Sequence, residues 1–252
     1  MELQGAVVVV TGGAMGIGRA SALAFADAGA SAVVIADIDE RAVSETIALV
    51  EAAGSAALFV PTDVGEHPSV AHLLDETVNR FGRLDILHNN AGIVAGEPAW
   101  PGTSVERIEQ MVRVNALGVM FGTRLAVDRM AATGGGAIVN TASMTGLWPT
   151  PQDAVYCATK AAIIMFTRAC AEIARSHNIR VNAVLPGSTS TSMLAKTGDG
   201  TQPAAWLADL LTPESLLAPE DVAAAVVALA AGDQAGETVE VLEPAVPRSS
   251  RP

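Results

Sequence analysis

Val7-Val8-Val9-Val10-Thr11-Gly12-Gly13-Ala14-Met15-Gly16-Ile17-Gly18 is the stretch that decides the fold. Four consecutive valines make a short β-branched run with no polar alternation, the pattern of a strand buried on both faces in a parallel sheet. A glycine-rich turn follows, and a helical pattern runs from Arg19 to Ala28. Strand, glycine turn and helix in that order can open a dinucleotide site. Glycines let the backbone approach a pyrophosphate, and the helix start offers free N–H groups and a positive dipole end. The spacing Gly12-x3-Gly16-x-Gly18 differs from the common GxGxxG; a tight turn alone is the alternative, and the strand and helix on either side favour the dinucleotide reading. In the dinucleotide reading Gly12, Met15, Gly16, Ile17 and Gly18 are the contact positions.

The next strand, Ala32 to Ala36, ends at Asp37, nineteen residues after Gly18. An acid at about that offset accepts hydrogen bonds from an adenosine ribose and repels a 2′-phosphate. Met15 and Ile38, where a cation would hold that phosphate, are neutral, so the pattern favours NAD over NADP; Arg41 keeps NADP open. Helix Arg41–Ala53 and strand Ala56–Val60 lead to Asp63-Val64, candidates for the adenine amino group and ring, or simply a loop cap. Helix Val70–Phe81 and strand Leu84–Leu87 lead to His88-Asn89-Asn90-Ala91-Gly92, small and amide residues suited to contact a cofactor and to link back to the central strands. His67 and His72 read as surface residues, since no metal-ligand spacing is visible and no metal is expected.

An irregular loop, 93–103, precedes a long helix expected over Ser104–Ala132, with Asn115 in its middle. Strand Ala137–Thr141 ends at Ala142-Ser143. A loop, Met144–Ala154, and a helix, Val155–Ser176, follow. Strand Arg180–Leu185 leads into Pro186-Gly187-Ser188-Thr189-Ser190-Thr191. The segment 188–219 has weaker signals, with Trp206, Leu207, Leu210 and Leu211 at helical spacing, and reads as a substrate lid. Helix Glu220–Ala231 and strand Glu237–Leu242 close the pattern. Strands alternating with helices indicate an α/β fold, a doubly wound parallel sheet in three layers, with one domain over 1–243 and a loose tail over 244–252.

The chain has 252 residues and a net charge of −12. That acidity is repelled by phosphate backbones and anionic lipids, which argues against nucleic-acid or membrane binding. Cys157 and Cys170 lie on one expected helix, too far apart for a disulfide. With no apolar run of membrane length and no basic n-region, a cytoplasmic protein is expected.

Tyr156-Cys157-Ala158-Thr159-Lys160 holds the one tyrosine of the chain, with Lys160 four residues on. On a helix that spacing puts phenol and ammonium on one face. A neighbouring cation favours phenolate, so the tyrosine pKa is expected to fall from about 10 toward neutrality. Taken alone, such a pair is more often a half-buried tyrosine beside a solvated lysine.

Together the Thr11–Gly18 turn, Asp37, Asp63-Val64, Asn89-Asn90-Ala91-Gly92, Asn115, Ser143, Tyr156 to Lys160, and Pro186-Gly187 with Thr191 resemble the short-chain dehydrogenase/reductase family, from about Gly5 to Leu242. The resemblance implies a Rossmann fold and hydride transfer between NAD(H) and a secondary alcohol or ketone. It makes Tyr156 the general acid/base and Lys160 the group that lowers its pKa and holds the nicotinamide ribose. It makes Ser143 the partner of the substrate oxygen and Asn115 the holder of a water that links Lys160 to solvent. Gly92, Pro186, Gly187, Thr189 and Thr191 would wall the nicotinamide. Thr189 stands where a branched apolar residue is more usual, and Glu243-Pro244-Ala245 replaces a glycine-rich tail. The segment 146–152 is similar to the branch containing 15-hydroxyprostaglandin dehydrogenase. Substrate candidates are Val94, Ser143, Met144, Trp148, Gln152, Met193 and Trp206, mostly apolar, which points to a lipophilic small molecule. Family resemblance also implies a homodimer or homotetramer through the two long helices. A silent NAD-binding regulator and an epimerase or dehydratase on the same fold are the alternatives.

Overall fold

The computed structural model describes residues 2–208, 211 and 216–243. Seven strands, β1 (Val7–Thr11), β2 (Ala32–Asp37), β3 (Ala56–Pro61), β4 (Ile86–Asn89), β5 (Gly136–Thr141), β6 (Ile179–Pro186) and β7 (Thr238–Val241), form one sheet in the order β3-β2-β1-β4-β5-β6-β7. Every pairing is parallel. The chain winds outward from β1 to β3, then crosses to the other side of β1 with β4. That reversal opens a crevice at the carboxyl ends of β1 and β4, the place where open α/β sheets take ligands.

All five residues of β1 are buried, and burying a valine contributes about 1.5–3 kcal/mol. Val8 and Val10 face one layer, which includes Ala22, Phe25 and Ala26 of α1 (Gly16–Asp27), Val43 and Val50 of α2 (Val43–Ala52), and Val222 and Val226 of α10 (Pro219–Ala231). Val9 faces the other, with Val70, Leu73 and Leu74 of α3 (His67–Phe81) and Ala126, Val127 and Met130 of α5 (Gly118–Ala131). The three-layer α/β/α expectation therefore holds.

Several expected boundaries move. The first helix begins at Gly16, inside the glycine turn, rather than at Arg19. Strand β4 is Ile86–Asn89, not Leu84–Leu87, because it continues through buried polar residues. Asn89 Nδ2 donates to Asn140 Oδ1 at 2.9 Å and to Thr123 Oγ1 at 3.3 Å, so the polar end of the strand is satisfied inside the sheet. The long helix expected over 104–132 is three pieces: α4 (Val105–Val112), a π-helical turn (Arg113–Leu117) holding Asn115, and α5. The helix expected over 155–176 is α6 (Ala154–Ala169), a tightened turn at Cys170, and α7 (Glu172–His177). Cys157 and Cys170 are free thiols. The loop 144–154 contains two 3-10 turns, Met144–Gly146 and Pro151–Asp153. Short helices α8 (Ser192–Ala195) and α9 (Ala205–Ala208) occupy the 188–219 segment, and Thr189 bridges to Leu217. Leu210 and the 244–252 tail, with Pro244 and Ala245, lie outside the described residues. Among the described residues no helix is long and apolar enough to cross a membrane.

Candidate active site

The glycine turn is packed too tightly for side chains. A Cβ on Gly18 would lie 2.0 Å from the Gly12 carbonyl oxygen, and one on Gly12, whose φ is +64°, would lie 2.9 Å from Ala91 Cα. Gly16, at φ +56°, sits against Thr191, whose Cγ2 would be 3.2 Å from an added Cβ. Ser192 Oγ lies 3.0 Å from Met15 Sδ, so the chain after β6 reaches over the turn. Helix α1 starts behind Met15 with no side-chain cap. Its first N–H groups and a backbone cradle that a Cβ would fill suit a pyrophosphate. Gly12, Met15, Gly16, Ile17 and Gly18 thus share one concave turn.

Asn90 clamps this turn. Its Nδ2 donates to Thr11 O at 3.0 Å and Gly12 O at 3.3 Å, while the Asn90 and Ala91 amides both donate to Thr11 Oγ1. Asp37, at the end of β2, accepts from Ala14 N at 3.0 Å through Oδ2 and from Asp39 N at 3.1 Å through Oδ1. Each carboxylate oxygen keeps a further lone pair for a ribose hydroxyl. Ile38 beside it is 76 % exposed. Arg19 is committed elsewhere, to Ala14 O, Thr46 Oγ1 and Glu45. Asp63 is exposed and turns its Oδ1 to Gly65 N. Val64 is buried against Gly118 at the start of α5, where an added Cβ would lie 3.0 Å from its Cγ2.

Across the crevice, Lys160 and Asn115 converge on Gly92: a Cβ there would lie 3.5 Å from both Lys160 Nζ and Asn115 Oδ1. Lys160 is buried, and Nζ donates to Thr141 O at 2.8 Å. It also lies over the Tyr156 ring, 5.5 Å from the centroid. Burial pushes its ammonium down to about 8. Tyr156 departs from expectation: its phenol is raised above the ordinary range, not lowered. Burial is the chief cause, opposed by a hydrogen bond from Ser143 and reinforced by the negative charge of Asp153. The shared helix face brought Lys160 to the ring, but the Thr141 carbonyl fixes its head, and the protein's own groups therefore keep the phenol protonated. Ser143 Oγ accepts from Thr145 N at 3.2 Å and Thr145 Oγ1 at 3.0 Å, which leaves its own proton to donate.

Asn115 also differs from expectation. It is fully buried, and its amide is already used: Nδ2 donates to Ile93 O at 2.8 Å and Thr159 Oγ1 at 3.3 Å, and Oδ1 accepts from Ile93 N at 2.8 Å. Thr159 Oγ1 in turn donates to Tyr156 O. The side chain ties the segment after β4 to the helix of Tyr156. The π turn is what brings it into the helix-to-sheet seam.

On the substrate side the candidates separate. Gln152 and Trp206 meet with Asp153, Ala95, Ala99 and Thr197 in one tight junction that has no room for a water molecule. Val94 is buried, and its carbonyl accepts from Arg107 Nη2. Met144 packs beside Ile163 and Ile164. Trp148 is 68 % exposed, and Met193 lies half-buried on α8. Pro186 ends β6, Gly187 N donates to Val241 O, and the buried Thr189 donates to Gly187 O. Its hydroxyl is thus satisfied at a position where a branched apolar residue is more usual in the family. Thr141, Thr159, Arg107 and Asp153 join the site only in the folded chain; Thr159 lies inside the Tyr156–Lys160 stretch, and Asp153 lies three residues before Tyr156 at the start of α6.

A profile of the family described as short chain dehydrogenase matches residues 6–202. The cis-4-hydroxycyclohexanecarboxylate dehydrogenase of Sinomonas cyclohexanicum is 39% identical over 224 residues, covering 89% of this chain and 88% of that protein. The 3beta-hydroxysteroid dehydrogenase 1 of Eggerthella lenta is 37% identical over 235 residues, covering 93% and 89%. A solved short chain dehydrogenase from Mycobacterium paratuberculosis bound to NAD superposes with a TM-score of 0.85 at 28% identity, covering 96% of this chain and 98% of that one.

Proposed function

The chain belongs to the short chain dehydrogenase family and is an oxidoreductase; from that premise we propose that it is an NAD-dependent dehydrogenase of a secondary alcohol, or reductase of the ketone, with Tyr156 as general acid/base. The observation that carries this reading is the convergence of Tyr156, Lys160, Asn115 and Gly92 opposite a glycine turn that only backbone can approach. When bound, the nicotinamide supplies the hydride acceptor or donor. The chain's own residues do the rest. Ser143 turns its one proton to Tyr156 in the free protein and gives it to the substrate oxygen when substrate binds. Tyr156 takes the alcohol proton in oxidation and returns it in reduction. Lys160 holds positive charge beside the phenol and is positioned to bind the ribose hydroxyls. Asn115 aligns Ile93 and the helix of Tyr156, so its part is positional. Asp37 favours NAD, because a 2′-phosphate would meet a carboxylate and the nearby Arg19 is already paired.

A protonated Tyr156 fits reduction directly. Oxidation requires added positive charge near the ring, which oxidised nicotinamide brings. The 188–219 segment meets Gln152 through Trp206 and acts as a lid that opens to admit an apolar alcohol, the substrate class favoured by the mostly apolar candidates Val94, Met144, Trp148, Met193 and Trp206. That is consistent with relatives named for cyclohexane and steroid alcohols. The four filled catalytic positions disfavour a silent regulator, and the relatives' named chemistry disfavours an epimerase or dehydratase. We further propose a homodimer or homotetramer, supported by exposed Val105, Val112, Leu117 and Met165 along α4, the π turn and α6, and a cytoplasmic location. A panel of alicyclic and steroid alcohols, read by NADH absorbance with NAD and NADP in parallel, tests the reading. Turnover with NAD is expected, and Tyr156→Phe should lower it by about 10²–10⁴-fold while NAD binding stays within about twofold. Full activity in that variant would sink the mechanism.

A further inference from the structure

His88 is wholly buried at the carboxyl end of β4. Its Nε2 lies 2.9 Å from Thr141 Oγ1, and its Nδ1 has no hydrogen-bond partner. Thr141 is central to both halves of the site. Its carbonyl holds Lys160 Nζ, and its hydroxyl lies 3.4 Å from Asn90 Oδ1. Donor counting fixes the direction of this chain. Asn90 Nδ2 faces two carbonyls, Thr11 O and Gly12 O, so the amide orientation is set and Oδ1 faces Thr141. Oδ1 only accepts, so the Thr141 proton points to it. Thr141 Oγ1 must then receive a proton from His88. The reverse tautomer would strand an N–H at Nδ1 in the core and leave Asn90 Oδ1 without the Thr141 proton. The doubly protonated ring would bury a charge with one donor unpaired.

We propose that His88 is a positioning residue of the dinucleotide cradle: its proton sits on Nε2, is donated to Thr141, and through Thr141 orients the Asn90 amide that grips Gly12. The same threonine anchors Lys160, so one buried imidazole steadies the glycine turn and the catalytic lysine together. This inference rests on the dinucleotide reading above.

The test begins with the unmutated full chain, ¹⁵N-labelled at histidine. His67, His72 and His177 are exposed and serve as reference signals. His88 is expected to show a bare Nδ1 and a protonated Nε2, unchanged from pH 5 to 8; a proton on Nδ1, or titration in that range, overturns the proposal. Next, NADH titration by tryptophan fluorescence compares His88→Met, similar in bulk without a donor, with His88→Gln, whose amide can replace the Nε2 donor. Binding should weaken by about three- to tenfold in His88→Met, the worth of one buried hydrogen bond, and recover to within about twofold in His88→Gln. Wild-type binding in His88→Met, or equal loss in both, overturns the proposal. If neither variant folds, the tautomer measurement decides alone. If the unmutated chain binds no dinucleotide, the functional reading fails while the tautomer is still read.

Discussion

Gly18 and Trp148 stand at opposite extremes of one crevice. Around Gly18 there is no room for a methyl group, and every neighbour is held: Gly12 by Asn90, Asn90 by Thr141, Ala14 by Asp37. Trp148 lies on a turn between two 3-10 segments and is 68 % exposed. The first side is preorganised by backbone hydrogen bonds, which suits a ligand of fixed chemistry such as a dinucleotide. The second is made of loops and short helices, where specificity can vary without disturbing the sheet. On the proposed reading, the difference assigns cofactor choice and substrate choice to separate parts of this chain.

Four perturbations sharpen or break that contrast. The largest effect on cofactor binding is expected from Gly18→Ala. A Cβ 2.0 Å from the Gly12 oxygen imposes about 1–3 kcal/mol of overpacking, which as lost binding is roughly 5- to 150-fold in NADH Kd. An unchanged Kd would show that the turn is not the cradle. Asn115→Ala comes next. It leaves the Ile93 N–H and C=O without partners and should cost about 2–4 kcal/mol in thermal unfolding. It should also lower kcat by up to about 100-fold through misplacement of Tyr156. A large loss of kcat with no loss of stability would favour a direct role for Asn115 instead.

Lys160 gives a pH signature. Its folded pKa of about 8 lies below its ordinary value of 10.5. Between those values the unfolded chain keeps a proton that the folded chain has released, so stability from this group rises with pH. Relative to Lys160→Met, the unmutated protein should gain stability between pH 8 and 10, with a slope of at most about 1.4 kcal/mol per pH unit. A flat difference between the two melting curves would contradict the burial argument. The smallest effect is expected from Trp148→Ala: within about 0.5 kcal/mol in stability and no change in NADH binding, with any change confined to substrate KM. Loss of cofactor binding there would dissolve the division between the two sides.

The same division governs what was legible in the sequence. Strand β1, the glycine turn and Asp37 were read from local pattern because their roles depend on neighbours in the chain. The end of β4 is not legible locally, because His88 and Asn89 look like loop residues until Thr141, Thr123 and Asn140 arrive from elsewhere to satisfy them. The π turn escaped notice because one extra residue per turn barely disturbs an apolar stripe. The upward shift of the Tyr156 phenol is hidden from local pattern for a similar reason. The i,i+4 spacing places Lys160 correctly, but its ammonium is held by the carbonyl of Thr141, nineteen residues earlier, a contact no local pattern contains. Substrate candidates were the least legible, since loops 93–103 and 144–153 and the segment after β6 meet only in the folded chain.

The most direct measurement is a fluorescence titration of the unmutated protein with NADH and NADPH, in the absence of any alcohol or ketone. A preorganised turn with Asp37 at the ribose position predicts that NADH binds without substrate, at least about tenfold more tightly than NADPH, a difference of about 1.4 kcal/mol. Equal affinities, tighter NADPH, or binding that appears only when substrate is added would contradict it.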